Sequence, residues 1–299
     1  MDMVGSGGPV IVAALKWSWL RASVDPLTGS VQVGVHDTGV SAADEAALEH
    51  ALRLAGRWSG RVVAVTCGPP EADAALRAAL AAGAAEALRV DAAAPDASAL
   101  VGNGRQVARS LAVAVRRRYG VPALTLCGDR SVDRGTGTVP GFLAAEFGAA
   151  QALGVVRLEP GEVGDLLVHR RLDHGRREVL QVNCPAVVSV EAAGVRLRRA
   201  SLPAVLSSRS GEITVVKESS AATASPRMLA QGPRRPRTHA IEPPAGNRPQ
   251  ERLVELTGAF QASTSARVVG PLPASEAVDE LLGYLRGRGY LSESDGSRP

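Results

Sequence analysis

The residues best placed to do chemistry lie in one run, Gly128 to Thr138, reading GDRSVDRGTGT. An apolar stretch, Ala123 to Cys127, precedes it, and a helical pattern carrying Val139, Phe142, Leu143 and Ala145 follows. A strand, a Gly-rich turn and a helix start leave backbone N–H groups pointing out of a helix N-terminus, where an anion is stabilised. Gly128, Gly135 and Gly137 let the backbone approach a ligand closely. Thr136 and Thr138 add hydroxyls, and Asp133 either shapes the turn or meets a ribose hydroxyl. The run is neither a P-loop, because no Gly-Lys-Ser/Thr follows, nor the G-x-G-x-x-G fingerprint. An ordinary strand-to-helix connection would carry the same pattern.

Other chemistries find less support. No G-x-S-x-G occurs, and the carboxylates do not pair at catalytic spacing. The five histidines lack metal-ligand spacing, and His50 reads as part of a solvated helix face. Cys67, Cys127 and Cys184 sit in or beside apolar runs and read as buried thiols in a reducing compartment. Arg116 to Arg118 and Arg234-Arg235-Pro236-Arg237 are basic, but without aromatic platforms and with a net charge of only +4 they make a poor nucleic-acid surface. These absences favour a carrier over a catalyst, with a bound cofactor supplying the chemistry.

The elements that must hold the loop follow from periodicity. Pro9 to Leu15, Arg61 to Cys67, Ala87 to Val90 and Pro185 to Val190 are continuous apolar runs, as in strands buried on both faces. Ser41 to Leu54, Glu71 to Ala82 and Gly104 to Tyr119 carry helical periodicity, with Ser41 as an N-cap and Gly83 as a stop. Strands alternating with helices in this way predict an α/β fold built on a doubly wound, mostly parallel sheet. A ligand in such a sheet binds at the carboxyl ends of the strands, here Ala14 to Lys16, Thr66 to Gly68 and Cys127 to Asp129. Ser23 to Val35 reads as a small hairpin, and Asp173-His174-Gly175 as the turn of a larger one. With aromatic content at 3%, the core must be made of Ala, Val and Leu. Trp17 and Trp19 either line a ligand or cover the sheet end.

From about Ser219 the composition turns to Ser, Ala, Pro, Arg and Gly, which reads as an extended C-terminal arm. The arm ends in an amphipathic helix, Ser275 to Gly287, with Ser275 as its N-cap. The expected organisation is a nucleotide-binding α/β domain over 1–217 and an arm over 218–299 that packs on the domain or on a partner subunit. The opening segment lacks a basic leader, and no apolar run reaches membrane-spanning length, so a cytoplasmic location with no stable membrane insertion is expected.

Several of these runs resemble the beta subunit of electron-transfer flavoproteins. Ala13-Ala14-Leu15-Lys16 is similar to that family's first strand, which ends in Lys. Ala47, Glu49, Ala51, Leu52, Arg53 and Leu54 fit its first helix. Thr66-Cys67-Gly68-Pro69, the run from Leu76 to Ala84, Pro185-Ala186-Val187-Val188 and Leu202-Pro203 fit later segments, and Gly128, Asp133, Thr136 and Gly137 fit its nucleotide loop. The resemblance covers roughly Val10 to Val216 and implies an adenine-nucleotide alpha-hydrolase-like fold. It also implies a heterodimer with an electron-transfer flavoprotein alpha subunit that holds FAD, electrons arriving from a dehydrogenase and passing toward the respiratory chain, and AMP as structural filler in this subunit. The implied AMP-site residues are Ala14, Ser41, Cys67, Gly128, Asp133, Thr136, Gly137 and Thr138.

Departures from the family pattern define further expectations. Ser41 and Thr138 stand where the family usually has Asn and Gln, which alters two polar contacts, and Trp17-Ser18-Trp19 replaces its usual flavin-side sequence. Ala192 stands where the docking loop carries an anchoring Leu, at a cost of about 2 kcal/mol at an interface hot spot, which argues against the usual acyl-CoA dehydrogenase. Together they point to a divergent branch, expected to be actinobacterial and of the kind associated with mycofactocin-type redox systems. Two alternatives stay open: FAD in place of AMP, as in bifurcating relatives, and a stand-alone adenine-nucleotide-binding regulatory module.

Overall fold

The computed structural model describes residues 8–91 and 104–217, with the shorter stretches 232–233, 243–244, 246–257, 269–288 and 290–291. The chain divides into two compact units, Met1–Arg235 and Pro236–Pro299.

The first unit opens with β1 (Val10–Ala14), whose last four residues are buried. Four short strands follow. Of these, β2 (Trp17–Trp19) pairs antiparallel with β5 (Thr38–Val40), and β3 (Ser23–Val24) pairs with β4 (Val31–Gln32) as the expected small hairpin. Next come α1 (Ala42–Arg57), β6 (Arg61–Gly68), α2 (Asp73–Ala82), β7 (Glu86–Asp91), α3 (Gly104–Tyr119), β8 (Leu124–Gly128) and α4 (Val139–Phe147). The chain then runs through β9 (Ala150–Pro160), β10 (Asp165–Arg171), β11 (Arg177–Asn183), β12 (Ala186–Val190), α5 (Leu202–Ser210) and β13 (Thr214–Lys217).

Nine of these strands form one sheet, in the order β11-β10-β9-β12-β8-β1-β6-β7-β13. All neighbours pair in parallel except β9 with β10 and β10 with β11, the larger hairpin. The chain steps outward from β1 to β6 and β7, then returns to lay β8 on the other flank of β1. The strand order therefore reverses between β1 and β8, a switch point of the kind at which open α/β sheets form a crevice outside the strand carboxyl ends. Alternate residues of each central strand face opposite layers. Ile11, Ala13, Val62 and Ala64 meet α1 and α2, whereas Val12, Ala14, Val63 and Val65 meet α3 and α4. This two-sided burial is why these strands read as continuous apolar runs. Small side chains bring the helices close, as where Ala46, Ala47 and Ala51 of α1, each 0% exposed, lie on the sheet.

Three elements have weak sequence signals. In β9 buried and exposed positions alternate irregularly, β13 is four residues long with no buried position, and α5 exposes Leu202 and Leu206, although Ser201 caps it. Tertiary contacts hold α5: Arg77 of α2 donates to the carbonyls of Ser208 and Arg209 at 2.8 and 2.7 Å, satisfying acceptors that the end of the helix leaves free. A cleft of about 410 Å³ beside it, lined by Glu86, Arg118, Ser207 and Glu212 among others, lies at the amino end of β7, away from the strand carboxyl ends.

Three expectations are corrected. His50 is not on a solvated face but buried; beside it, Glu49 is bound by Arg198 from the segment after β12, whose Val195 and Leu197 pack on the core. Of the three cysteines only Cys127 is fully buried, while Cys67 and Cys184 are partly exposed; none is disulfide-bonded. In the second unit, α7 (Ala274–Gly287), which follows α6 (Pro249–Thr257), takes Pro273 rather than Ser275 at its N-cap; Ser275 lies inside the first turn. The arm expected from Ser219 onward falls largely outside the described residues. No helix among the described residues is long and apolar enough to cross a membrane.

A polar clamp crosses α1 in this layer. Glu49 Oε2 accepts from Arg198 Nε at 2.9 Å and from the Arg198 N–H at 3.1 Å, and Oε1 accepts from Arg53 Nε at 2.7 Å. Burial alone would raise the Glu49 carboxyl, but the Arg198 and Arg53 bonds outweigh it and hold the group down at about 2. Glu49→Gln should therefore lower stability at pH 7 by about 2 kcal/mol in urea unfolding, since the lost bonds are charge-assisted. A depressed folded value places this contribution above the unfolded value near 4.5 and removes it as pH falls toward 2. The gap between wild type and variant should close across that window; a gap independent of pH would contradict the assignment.

Candidate functional site

At the crevice the sheet register sets Ala14 of β1 beside Cys127 of β8 and Val65 of β6, and Val190 of β12 beside Gly128. Ala14 faces α3 and α4, and Cys67 packs on that same layer. The run after β8 begins by extending the ladder, the Asp129 N–H donating to the Val190 carbonyl at 2.9 Å. It then turns, with the Gly135 N–H donating to the Ser131 carbonyl at 2.8 Å. Gly135 and Gly137 have φ of 63° and 60°, the left-handed region that side chains resist.

Two carboxylates and one lysine hold this run in place. Lys16, just past β1, reaches Asp133 with Nζ–Oδ1 at 2.5 Å. Asp133 also accepts from Ser131 and from the Trp19 N–H; burial would raise its carboxyl, but Lys16 and Ser131 outweigh that and keep it low. The Lys16 backbone N–H donates to Asp44 Oδ2 at 3.4 Å, and the Gly128 N–H donates to Asp44 Oδ1 at 3.0 Å. Asp44 sits in the first turn of α1 and is 6% exposed. Gly128 must be glycine for this contact, because a Cβ there would lie 2.7 Å from Asp44 Oδ1.

The run ends where two helices start together. A Cβ on Gly104, the first residue of α3, would lie 2.5 Å from Thr138 Oγ1 at the N-cap of α4, so these two N-termini touch. Neither helix has an acidic residue in its first turn, unlike α1 with Asp44 and Glu45 or α2 with Asp73. Thr138 makes no side-chain cap on α4. Two positive helix ends thus converge without a protein carboxylate in either first turn, which suits a phosphate.

The structure brings Ala14, Cys67, Gly128, Asp133, Thr136, Gly137 and Thr138 to this end of the sheet, with the Thr136 and Thr138 hydroxyls 3.4 Å apart. Ser41 is there too but turned inward. It caps α1, accepting from the Asp44 N–H at 3.1 Å and donating to Asp44 Oδ2 at 3.0 Å, and it is 2% exposed. Sequence reading did not single out the side chain of Lys16, nor Asp44 or Gly104. The available signals were that Lys16 is one of two lysines in the chain and that Asp44 lies three residues after a capping serine. Behind the site, buried Arg89 ties the ends of β6 and β7, donating to the Gly68 carbonyl at 3.1 Å and pairing with Asp91 at 2.6 Å and Asp73 at 2.8 Å.

The electron transfer flavoprotein domain matches this chain over residues 32–221, which includes every residue of the site except Ala14 and Lys16. FixA of Bradyrhizobium diazoefficiens is 28% identical over 198 residues, covering 65% of this chain and 67% of FixA. The electron transfer flavoprotein subunit beta of Sus scrofa is 33% identical over 195 residues, covering 64% of this chain and 72% of its own. The subunit beta of Homo sapiens is 34% identical over 179 residues, 58% of this chain and 66% of the human one. The chain belongs to the electron transfer flavoprotein family. It is of the beta-subunit type, an electron-transfer protein rather than an enzyme.

Two outcomes test the geometry. Gly137→Ala should cost more than Gly135→Ala. Both incur the left-handed penalty of about 1 kcal/mol, but at Gly137 the new Cβ also lies 3.0 Å from the Asp129 carbonyl, against 4.0 Å from that of Ser131 at Gly135. Equal losses of Tm would contradict the loop conformation. The second outcome concerns Asp44, whose carboxyl burial pushes up to about 6 despite the bonds from Gly128, Ser41 and Lys16. A raised folded value means the contribution of Asp44 is fully present below about pH 4 and is lost as pH rises to 6, a loss of roughly 3 kcal/mol. Urea unfolding should show that descent in wild type and a flatter profile in Asp44→Asn; parallel profiles would place the titration elsewhere.

Proposed function

We propose that this chain is the beta subunit of a heterodimeric, cytoplasmic electron-transfer flavoprotein, with AMP bound at the β1–β8 crevice. The observation that carries the nucleotide assignment is the meeting of the α3 and α4 N-termini beside a glycine loop at the switch point. The adenosine phosphate would sit against those N–H groups, with the Thr136 and Thr138 hydroxyls beside it. Ala14, Cys67, Gly128 and Gly137 would line the close approach. Lys16 and Asp133 hold the loop open for it, Asp133 being engaged by the protein itself. Ser41 contributes through the helix cap, since its hydroxyl is used by Asp44.

FAD would be held mainly by an alpha subunit and supplies the redox chemistry when bound; this chain orients and shields it. Electrons would arrive from a dehydrogenase and leave toward the respiratory chain. We assign a nucleotide-binding domain to 1–217 and a subunit-interacting arm to 218–299; the second compact unit begins at Pro236, inside that arm. There α6 exposes Leu253 and Leu256, and α7 exposes Val278, Leu281 and Tyr284, apolar faces that suit a partner. The segment Glu191-Ala192-Ala193-Gly194 is exposed apart from Glu191, which bonds Arg171 at 2.7 Å. A docking site there would act without a leucine anchor.

Co-expression with an alpha-type subunit, acid release and quantitation of bound nucleotide tests the reading. One FAD and one AMP per heterodimer is the expected result. Two FAD and no AMP would assign FAD to the crevice. A stable flavin-free monomer binding ATP would replace the carrier with a nucleotide-binding module.

A further inference from the structure

In the loop that follows β8 a Ser131–Asp133 hydrogen bond helps from within, but Gly135 to Thr138 carry little side chain, and the loop is tied from outside at two points. At one end the Gly128 N–H goes to Asp44; further along, Asp133 goes to Lys16; and Lys16 itself returns through its backbone N–H to Asp44. The circuit closes on a single carboxylate. We propose that Asp44 is a positioning residue of the nucleotide site: it fixes the glycine loop by accepting the Gly128 N–H on one oxygen and the Lys16 N–H on the other. This rests on the nucleotide reading given above.

The chemistry of the group decides why it is an aspartate. All three of its donors, the Gly128 N–H, the Lys16 N–H and the Ser41 hydroxyl, need an acceptor, and an ionised carboxylate offers only acceptors. Asparagine keeps the shape but turns one oxygen into an NH₂, which must then face a backbone N–H. Alanine leaves both N–H groups without a partner in a buried position. Burial makes the negative charge costly, and three donors together with the nearby Lys16 ammonium offset part of that cost. The groups facing Asp44 are Lys16 after β1, which carries Asp133 on its ammonium; Gly128 and the buried Cys127 thiol on β8, whose ionisation burial and Asp44 both oppose; and Ser41 on its own helix. None of these replaces the acceptors when Asp44 takes up a proton.

Isothermal titration of the full-length chain with AMP, in wild type, Asp44→Asn and Glu49→Gln, tests the assignment. Glu49→Gln is the control for a weakened α1, since Glu49 is bound to Arg198 and Arg53. At pH 7.5, Asp44→Asn should bind AMP roughly tenfold or more weakly than wild type, while Glu49→Gln matches wild type. At pH 5 the difference between wild type and Asp44→Asn should shrink, because wild type has then lost the carboxylate as well. The phosphate of AMP also titrates near pH 6, but it does so for every variant, so the ratio of affinities isolates Asp44. Equal affinity of wild type and Asp44→Asn at both pH values would overturn the assignment. So would an equal loss in Asp44→Asn and Glu49→Gln with no change in the ratio at pH 5, which would reduce Asp44 to a determinant of helix stability. Wild type that does not bind AMP would instead overturn the AMP reading, and this inference with it.

Discussion

The loop after β8 is tied to the rest of the fold through two carboxylates, Asp44 from α1 and its own Asp133. That constraint organises this end of the molecule. The glycines at 135 and 137 adopt left-handed φ because the chain doubles back there. The restraint comes from Lys16 and Asp44, which belong to the exit of β1 and the start of α1. Both neighbours are available because the strand order reverses between β1 and β8: only at that point do the first strand, the first helix and the loop meet. The topology therefore does more than leave a crevice. It supplies the two groups that keep the loop in a shape its own composition would not select.

The rest of the fold serves rigidity at low side-chain volume. With few aromatics, the sheet is covered by Ala-rich helices that lie close to it, and Leu54, Leu76, Leu124 and Leu126 fill the remaining space. Such a core is thin, so single polar ties count for more. The clamp of Glu49 by Arg198 holds the segment after β12 across α1, and buried Arg89 joins the ends of β6 and β7. Each tie pairs an arginine fork with a carboxylate, and a planar fork loses less freedom per bond than an ammonium would.

Much of this was legible in the sequence, for reasons that can be named. Strands buried on both faces announce themselves as apolar runs, which is why Pro9 to Leu15 and Arg61 to Cys67 marked β1 and β6 to within a residue or so. Ser41 marked the start of α1, because a cap needs only local chemistry. The elements that stayed hidden depend on distant partners. β9 carries one half-exposed ladder across two neighbours, α5 is held through Arg77, and Glu49, next to the buried His50, is bound by Arg198 from beyond β12. At the site, the glycines, threonines and Asp133 could be read because a loop of that composition has few uses. Lys16 and Asp44 could not be read as one network, since nothing local links a residue after a strand to one in the next helix.

The cost of Asp44 bears on what the site is for. A buried carboxylate whose ionisation burial resists is a poor choice for stability alone, and a small apolar residue in the first turn of α1 would avoid the charge. It would also strand the N–H groups of Gly128 and Lys16, so the relevant comparison is between one costly acceptor and two unpaired donors. At neutral pH the ionised carboxylate satisfies both donors and the Ser41 hydroxyl at once, which no uncharged side chain of that size can do. The costly charge is thus what ties the loop to α1 and to the exit of β1. At this one residue the cost of burying a charge is set against the hydrogen bonds it makes, and the Lys16–Asp133 pair extends the same tie further along the loop.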